Sequence, residues 1–401
     1  MLVRTFAASL TGIDAVTVTI EVDVSRGIRF FLVGLPDVAV KESQQRIESA
    51  FRSIGYHWPG KQVVINMAPA DIRKEGSSYD LPLAVGVLAA DGKIPGKGLD
   101  SFMLTGELSL DGSVQAVRGV LPMALRARKE GFRAMIVPEK NAREAAVVDG
   151  LDVYGMAGLG DVVNFLSGRG EYRPLKPDMK EIFGDGSNGY DVDFADVRGQ
   201  ENVKRALEVA AAGHHNVIMT GSPGSGKTML ARRLPTIMPP LTLEEALETT
   251  KIHSVAGKID TQAGLITTRP FRSPHHSISD AALVGGGSFP QPGEISLGHN
   301  GVLFLDELPE FRRSALEVMR QPLEDRIITI SRARAGCDYP ASFMLVASMN
   351  PCPCGFHNHP SRECVCSPGM VQRYLNRISG PLLDRIDIHI EVMPVRFDRL
   401  T

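Results

Sequence analysis

The chain has 401 residues, with 44 basic against 46 acidic ones and a formal net charge of −2. Hydrophobic residues make up 43% and charged residues 22%, a globular balance that excludes a disordered tail protein and any global basic field for nucleic acid or anionic lipid. The longest apolar stretch, Leu81–Ala90, is far short of the roughly 20 residues a bilayer span needs. The N-terminal MLVRTFAASL lacks a full signal core. The expectation is a cytoplasmic protein without membrane contact, of two or three domains at roughly 150 residues each.

In chain order, VTVTIEVDV (16–24) alternates as a half-buried strand does. Ala39–Ile54 has helical spacing, with Val40, Ile47, Ala50, Phe51 and Ile54 apolar. Val63–Met67 reads as a short strand and Leu81–Ala90 as an apolar helix or buried segment. Phe102–Leu110 and Val114–Val117 flank Asp111-Gly112, a hairpin turn signal. Gly119–Glu130 follows a helical pattern, and Ala134–Val137 is a short buried strand. KPDMKEIFGDGSNGYDVDFADV (176–197) has the Gly, Asp and Asn content of a linker. The expected organisation is therefore an α+β domain over 1–174, a linker over 175–197 and a second domain over 198–401. There Val203–Ala212 is a helix, and Val217–Thr220, Val302–Leu305 and Phe343–Ala347 are apolar strands, each followed by polar residues. That is the pattern of an open α/β sheet whose strand ends carry the chemistry.

The strongest signal follows the strand Val217–Thr220. Gly221, Ser222, Pro223, Gly224, Ser225, Gly226, Lys227 and Thr228 fit G-x-x-x-x-G-K-[ST] in full, with Met229 opening the helix behind them. Such a loop turns backbone N–H groups toward phosphate oxygens. Lys227 would reach the β and γ phosphates of ATP, and Thr228 would ligate Mg²⁺. The spacing disfavours a dinucleotide-type loop. Val302–Leu305 then ends in Asp306 and Glu307. Asp306 would hold Mg²⁺ through water and Glu307 would polarise the attacking water, which points to hydrolysis. Asn350, after the strand Phe343–Ser348, is placed to position that water, and Arg385 in GPLLDRID to stabilise a neighbour's γ-phosphate. The run Gly285–Gly287 reads as a flexible loop.

Four of the five cysteines fall between 352 and 366. Cys352, Cys354, Cys364 and Cys366 supply four thiolates, with His357 and His359 between them, and a tetrahedral Zn²⁺ site takes four such ligands. The Cys-x-Cys spacing is tighter than usual, and reduced thiols are the alternative. Four thiolates leave no open position, so the metal would not be catalytic. Cys337 lies outside the cluster.

The second domain resembles AAA+ ATPases of the magnesium-chelatase-like group, specifically the YifB/ComM family. The resemblance rests on GSPGSGKTMLARRLP (221–235), FRSPHHSISDAALVGGG (271–287), PGEISLGHNGVLFLDELPEF (292–311), RQPLEDRIITISRA (320–333), SFMLVASMNPCPCG (342–355) and RISGPLLDRIDIHIEV (377–392). It implies an α/β fold with a P-loop AAA+ parallel-sheet core and a homo-oligomeric, hexameric ring. ATP sites would lie at subunit interfaces, with Arg385 acting in trans. It implies a DNA motor promoting branch migration in natural transformation. The alternatives are a magnesium-chelatase-like ATPase that remodels a protein partner and a scaffold with a vestigial site. Residues 251–300 look like the family's helix-2 insertion, and Ile327–Ile330 opens a pore hairpin. Arg269, Arg272, His275 and His276 in the insertion, and Arg332 and Arg334 at the hairpin tip, are the expected DNA contacts. Subunit contacts and salt bridges are the competing use. Residues 310–401 hold twelve arginines, ten acids and no lysine.

The first domain resembles the Lon-protease-like (ribosomal-S5-like) fold through Lys74-Glu75-Gly76-Ser77-Ser78-Tyr79-Asp80, TGELSLDGSV (105–114) and IVPEKNAREA (136–145). Ser78 stands where the protease has its nucleophile, but Leu121 stands where it has its lysine base. A serine without a base is a poor nucleophile, so this domain is expected to be catalytically inactive. The resemblance also implies a helical lid beyond Thr401. Without it, weak turnover and weak ring assembly are expected.

Overall fold

The computed structural model describes residues 1–177, 183, 189–287, 290–332 and 335–394, with only the backbone of 331, 332 and 335. The chain divides into two compact units. One comprises Met1–Asp185 and His253–Leu265, the other Gly186–Ile252 and Ile266–Thr401. Much of the linker expected over 175–197 lies outside the described residues.

The first unit is built on a seven-stranded sheet of order β3-β4-β2-β1-β5-β8-β9. Its strands are β1 (Leu2–Thr11), β2 (Asp14–Ser25), β3 (Phe30–Val33), β4 (Gln62–Ala68), β5 (Phe102–Leu104), β8 (Ala134–Pro138) and β9 (Asp152–Met156). β1–β2 and β2–β4 are antiparallel, while β5, β8 and β9 continue in parallel from β1. β6 (Glu107–Leu108) and β7 (Val114–Gln115) close a hairpin around Asp111-Gly112. The expected strand Phe102–Leu110 therefore breaks into β5 and β6. Gly106, at φ 158°, lies between them. The helix expected over 39–54 is likewise two, Val38–Lys41 and Ser43–Ser53.

The apolar run 81–90 is a helix, Asp80–Ala90, with every residue buried. A helix apolar all round has to be enclosed, and this one packs on β1 and β2. Gly86 permits the approach, since a Cβ there would stand 2.7 Å from Val22 Cγ2. Buried Asp80 at its start is held by Arg46, whose Nε and Nη2 donate at 2.6 and 2.8 Å. Burial raises the Asp80 pKa, against the pull of Arg46.

Part of the expected insertion belongs to this unit. Ser254 Oγ donates to Glu144, the Gly119 N–H donates to Ser254 O at 3.1 Å, and Arg143 Nη1 donates to Gln262 O at 2.6 Å. Glu144 is buried and also accepts the Leu121 N–H at 2.9 Å.

The second unit holds a five-stranded sheet of order β11-β14-β17-β10-β18, parallel throughout. In chain order its strands are β10 (Val217–Thr220), β11 (Phe271–Arg272), β14 (Val302–Leu305), β17 (Met344–Met349) and β18 (Ile388–Glu391). β12 (Gly285–Gly286) and β13 (Gln291–Pro292) form a small ribbon, and β15 (Ile327–Arg332) pairs with β16 (Ala335–Pro340) as a hairpin. β14 and β17 are buried at every position, as strands covered on both faces must be. Their apolar runs carry the chain to polar ends on one edge of the sheet.

Candidate functional site

β10 ends at Thr220, and the Gly221 N–H donates to Met349 O at the end of β17. The loop that follows needs left-handed backbone at Gly224 (φ 78°) and Gly226 (φ 93°), where an L side chain costs about 1–2 kcal/mol. It leads into the helix Lys227–Arg233.

Lys227 is 8% exposed. Its Nζ donates to Gly221 O at 2.7 Å, Ser222 O at 3.0 Å and Asn350 Oδ1 at 3.3 Å. Burial lowers its pKa, while the charges of Asp306 and Glu307 raise it. Asp306, just past β14, gathers three donors: Thr228 Oγ1 at 2.7 Å, the Glu307 N–H at 3.0 Å, and Ser348 Oγ. Glu307 has a left-handed backbone, φ 55°. Its side chain is half exposed, 3.3 Å from His276 Nδ1. Phosphate loop, acid pair, Ser348 and Asn350 line one cleft of about 430 Å³, with Met229 at its rim.

These residues fit a magnesium–triphosphate. Thr228 and Asp306 offer hard oxygen ligands 2.7 Å apart, the donor chemistry Mg²⁺ prefers. The buried hydroxyls of Ser222 and Ser225 have no hydrogen-bond partner among the described residues, and both sit in the loop that would meet phosphate.

Arg385 does not line this cleft. It follows the helix Gly380–Leu383, pairs with Glu324, and donates to Pro381 O. Its Nε is buried without a hydrogen-bond partner among the described residues.

The expected DNA contacts divide. Arg269 is only 8% exposed. It donates to Pro239 O, Asn300 O and Pro240 O and pairs with Glu245. Its guanidinium is committed to the fold and does not face solvent, so the expectation of a DNA contact there is corrected. Arg272 makes a two-point pair with Glu294 at 2.6 and 2.7 Å, the salt-bridge use. Arg332 is the last residue of β15, in register with Ala335, and Arg334 lies outside the described residues. His275 lies tilted against His276 at 4.1 Å between ring centres, and His276 in turn reaches Glu307.

Two residues, Ser348 in the cleft and His276 beside Glu307, escape sequence reasoning as chemistry. Ser348 carries a legible signal: it lies on β17 two residues before Asn350, the alternation that points strand neighbours to one side. His276 carries none, since 31 residues separate it from Glu307. Cys352, Cys354, Cys364 and Cys366 meet with all four Sγ atoms within 4.8 Å of one another. In the first unit Ser78 is half-buried, its carbonyl accepting the Gly106 N–H at 3.0 Å, and Leu121 is fully buried. Among the described residues no helix is long and apolar enough to cross a membrane.

The fold and cleft define an ATP-binding α/β protein of the AAA+ class. A family profile described as magnesium chelatase, subunit ChlI, matches residues 193–400, and a second, subunit ChlI of Mg-chelatase, matches 20–141. The chain is 46% identical to competence protein ComM of Haemophilus influenzae over 389 residues, 96% of this chain and 75% of that protein. It is 47% identical to YifB of Salmonella typhimurium over 383 residues, 95% of this chain and 74% of that protein. Lon protease 2 of Bacillus subtilis is 33% identical over 154 residues, covering 35% of this chain and 26% of that one. The chain belongs to the YifB/ComM family of magnesium-chelatase-like proteins.

Proposed function

We propose that the protein is an ATP-hydrolysing ring motor of the AAA+ class that acts on DNA in natural transformation or recombination. The observation that carries the hydrolytic half is the 2.7 Å hydrogen bond between Thr228 and Asp306. It joins a phosphate-binding loop to an acid pair 78 residues away in sequence. In this reading Lys227 holds the β and γ phosphates, and Thr228 and Asp306 hold Mg²⁺, which neutralises developing phosphate charge when bound. Glu307 polarises water and Asn350 orients it. Arg385 serves a neighbouring subunit, a role supported by its absence from its own cleft. A hexamer is the expected ring. The DNA half is supported by the likeness to a competence protein across most of the chain and by the arginine-only cation content after residue 310.

The N-terminal unit is proposed to be a Lon-protease-like fold without peptidase activity. The partial likeness to Lon protease 2 and the buried leucine at the base position support this. A cytoplasmic location accompanies this reading.

The test is ATP turnover with and without a four-way DNA junction across a salt series. Stimulation that fades as salt rises is expected, because phosphate contacts release counterions. A second reading, a chelatase-like ATPase that remodels a protein partner, draws on the magnesium-chelatase profile over 193–400. Junction-independent turnover together with no salt-sensitive DNA binding would select it.

A further inference from the structure

The segment after Asn350 leaves β17 and folds back on itself. Cys352 is fully buried, while Cys354, Cys364 and Cys366 are partly so. The Cys352 sulfur stands 3.3 Å from Cys354 and 3.7 Å from Cys364, and Cys354 stands 3.6 Å from Cys364. A disulfide is excluded at these separations, because bonded sulfurs sit about 2.05 Å apart. Four ligands about 2.3 Å from a central tetrahedral ion are about 3.8 Å from one another. The observed spacing is that of one mononuclear site. A multinuclear iron–sulfur cluster would hold its cysteines further apart.

The backbone is arranged for thiolates as well. The His357 N–H donates to Cys352 Sγ at 3.3 Å. Gly355, at φ 83°, tightens the turn, and its N–H donates to Cys352 O at 2.9 Å. Four sulfurs this close repel one another as anions, so a central dication is the species that satisfies them together. The acceptors are all soft sulfur, which selects zinc over Mg²⁺ or Ca²⁺.

The position of the turn gives the site a consequence. A Cβ on Gly355 would stand 2.5 Å from Pro223 Cδ and 2.8 Å from Pro223 Cγ. The cysteine turn therefore lies directly against the phosphate loop, at the one proline in it. Asn350, which accepts from Lys227 on the other side of the same loop, is two residues before Cys352.

We infer that Cys352, Cys354, Cys364 and Cys366 bind one zinc ion in a closed tetrathiolate site, and that this zinc knuckle braces the phosphate loop through Gly355 and Pro223. The metal half stands on the sulfur geometry alone; the bracing half rests on the nucleotide reading of the loop. The knuckle fixes the Gly355 surface, and that surface limits how far Pro223 moves when the loop receives a phosphate.

The experiment measures zinc by elemental analysis on the purified chain, and separately the affinity for a fluorescent ATP analogue. One zinc per chain is expected, retained in Cys337→Ser and lost in the Cys364→Ser/Cys366→Ser double variant. Cobalt(II) exchanged into the wild-type site should give the absorption of a tetrahedral tetrathiolate. Chelation followed by zinc return controls for unfolding: analogue affinity should fall about tenfold and recover, with circular dichroism unchanged. Gly355→Ala, which keeps all four ligands, should hold its zinc yet weaken the analogue. Wild-type protein from zinc-supplemented cells with no metal and Cys352, Cys354, Cys364 and Cys366 all reactive as thiols would overturn the site, as would a disulfide among these cysteines. Zinc present with affinity indifferent to its removal would overturn the bracing alone. Zinc present with no analogue binding in any state would count against the nucleotide reading and the bracing, and leave the metal site standing.

Discussion

The two units carry the same kind of sequence signal to opposite ends. The phosphate loop and the Ser78 region are each a Gly-Ser segment leading into a helix. Around the first, the polar residues proposed to bind and hydrolyse ATP within one chain come together. Lys227, Thr228, Asp306, Glu307 and Asn350 line one cleft, and a serine on the neighbouring strand donates to Asp306. Around the second, the helix is apolar after Asp80, and the residue at the expected base position is a leucine with no exposure. A motif is only as informative as the partners beside it, and the residue expected at the base position, Leu121, is packed into the core. In the first unit the buried charges, Asp80 with Arg46 and Glu144 with its donors, hold the fold.

The sharpest break of this contrast comes from Glu307→Gln. It should keep binding of an ATP analogue and lower turnover by roughly 10²–10⁴-fold, the range for a general base; unaltered turnover would move the water-polarising role elsewhere. Next is Leu121→Lys, which offers the protease base back to the first unit. Because the site is buried, the ammonium should destabilise that unit by several kcal/mol and restore no peptidase activity. A thermal melt and a casein assay read the two effects. Ser348→Ala removes a donor to Asp306 and leaves Thr228 and Asp306 in place. The Mg²⁺ concentration for half-maximal turnover should rise by about 10–100-fold, as for lost partners of metal ligands. Smallest of all, Ser78→Ala should shift stability by less than about 0.5 kcal/mol and leave ATPase rates unchanged. A large loss there would mean the hydroxyl has work that the leucine hides.

The strands of the second unit were legible because each is a short apolar run with a polar stop, and the parallel sheet needs both. The polar residues that line the cleft each lie at or just past the end of an apolar strand, β10, β14 or β17, and that polar stop is readable along the chain. Less readable was whatever depends on approach between distant segments. His276 sits in a stretch read as a DNA-facing insertion, yet it reaches Glu307. Arg269 looks like a surface cation, and only the fold reveals the ring of carbonyls from Pro239, Pro240 and Asn300 that encloses it. Composition could not separate a guanidinium for phosphate from one for the protein's own backbone. Residues 253–265 illustrate the same limit, since their partners, Gly119, Arg143 and Glu144, lie more than a hundred positions earlier.

The stretch from 310 onward has one more consequence. Its cations are arginines without exception, and several are tied to carboxylates, as Arg377 is to Glu310 and Arg320 to Glu317. A guanidinium stays protonated at every pH the fold survives. Acetylation of lysine has no target there, and amine-directed labels will pass it by. Ionic strength is left as the experimenter's handle on the guanidinium side of those pairs.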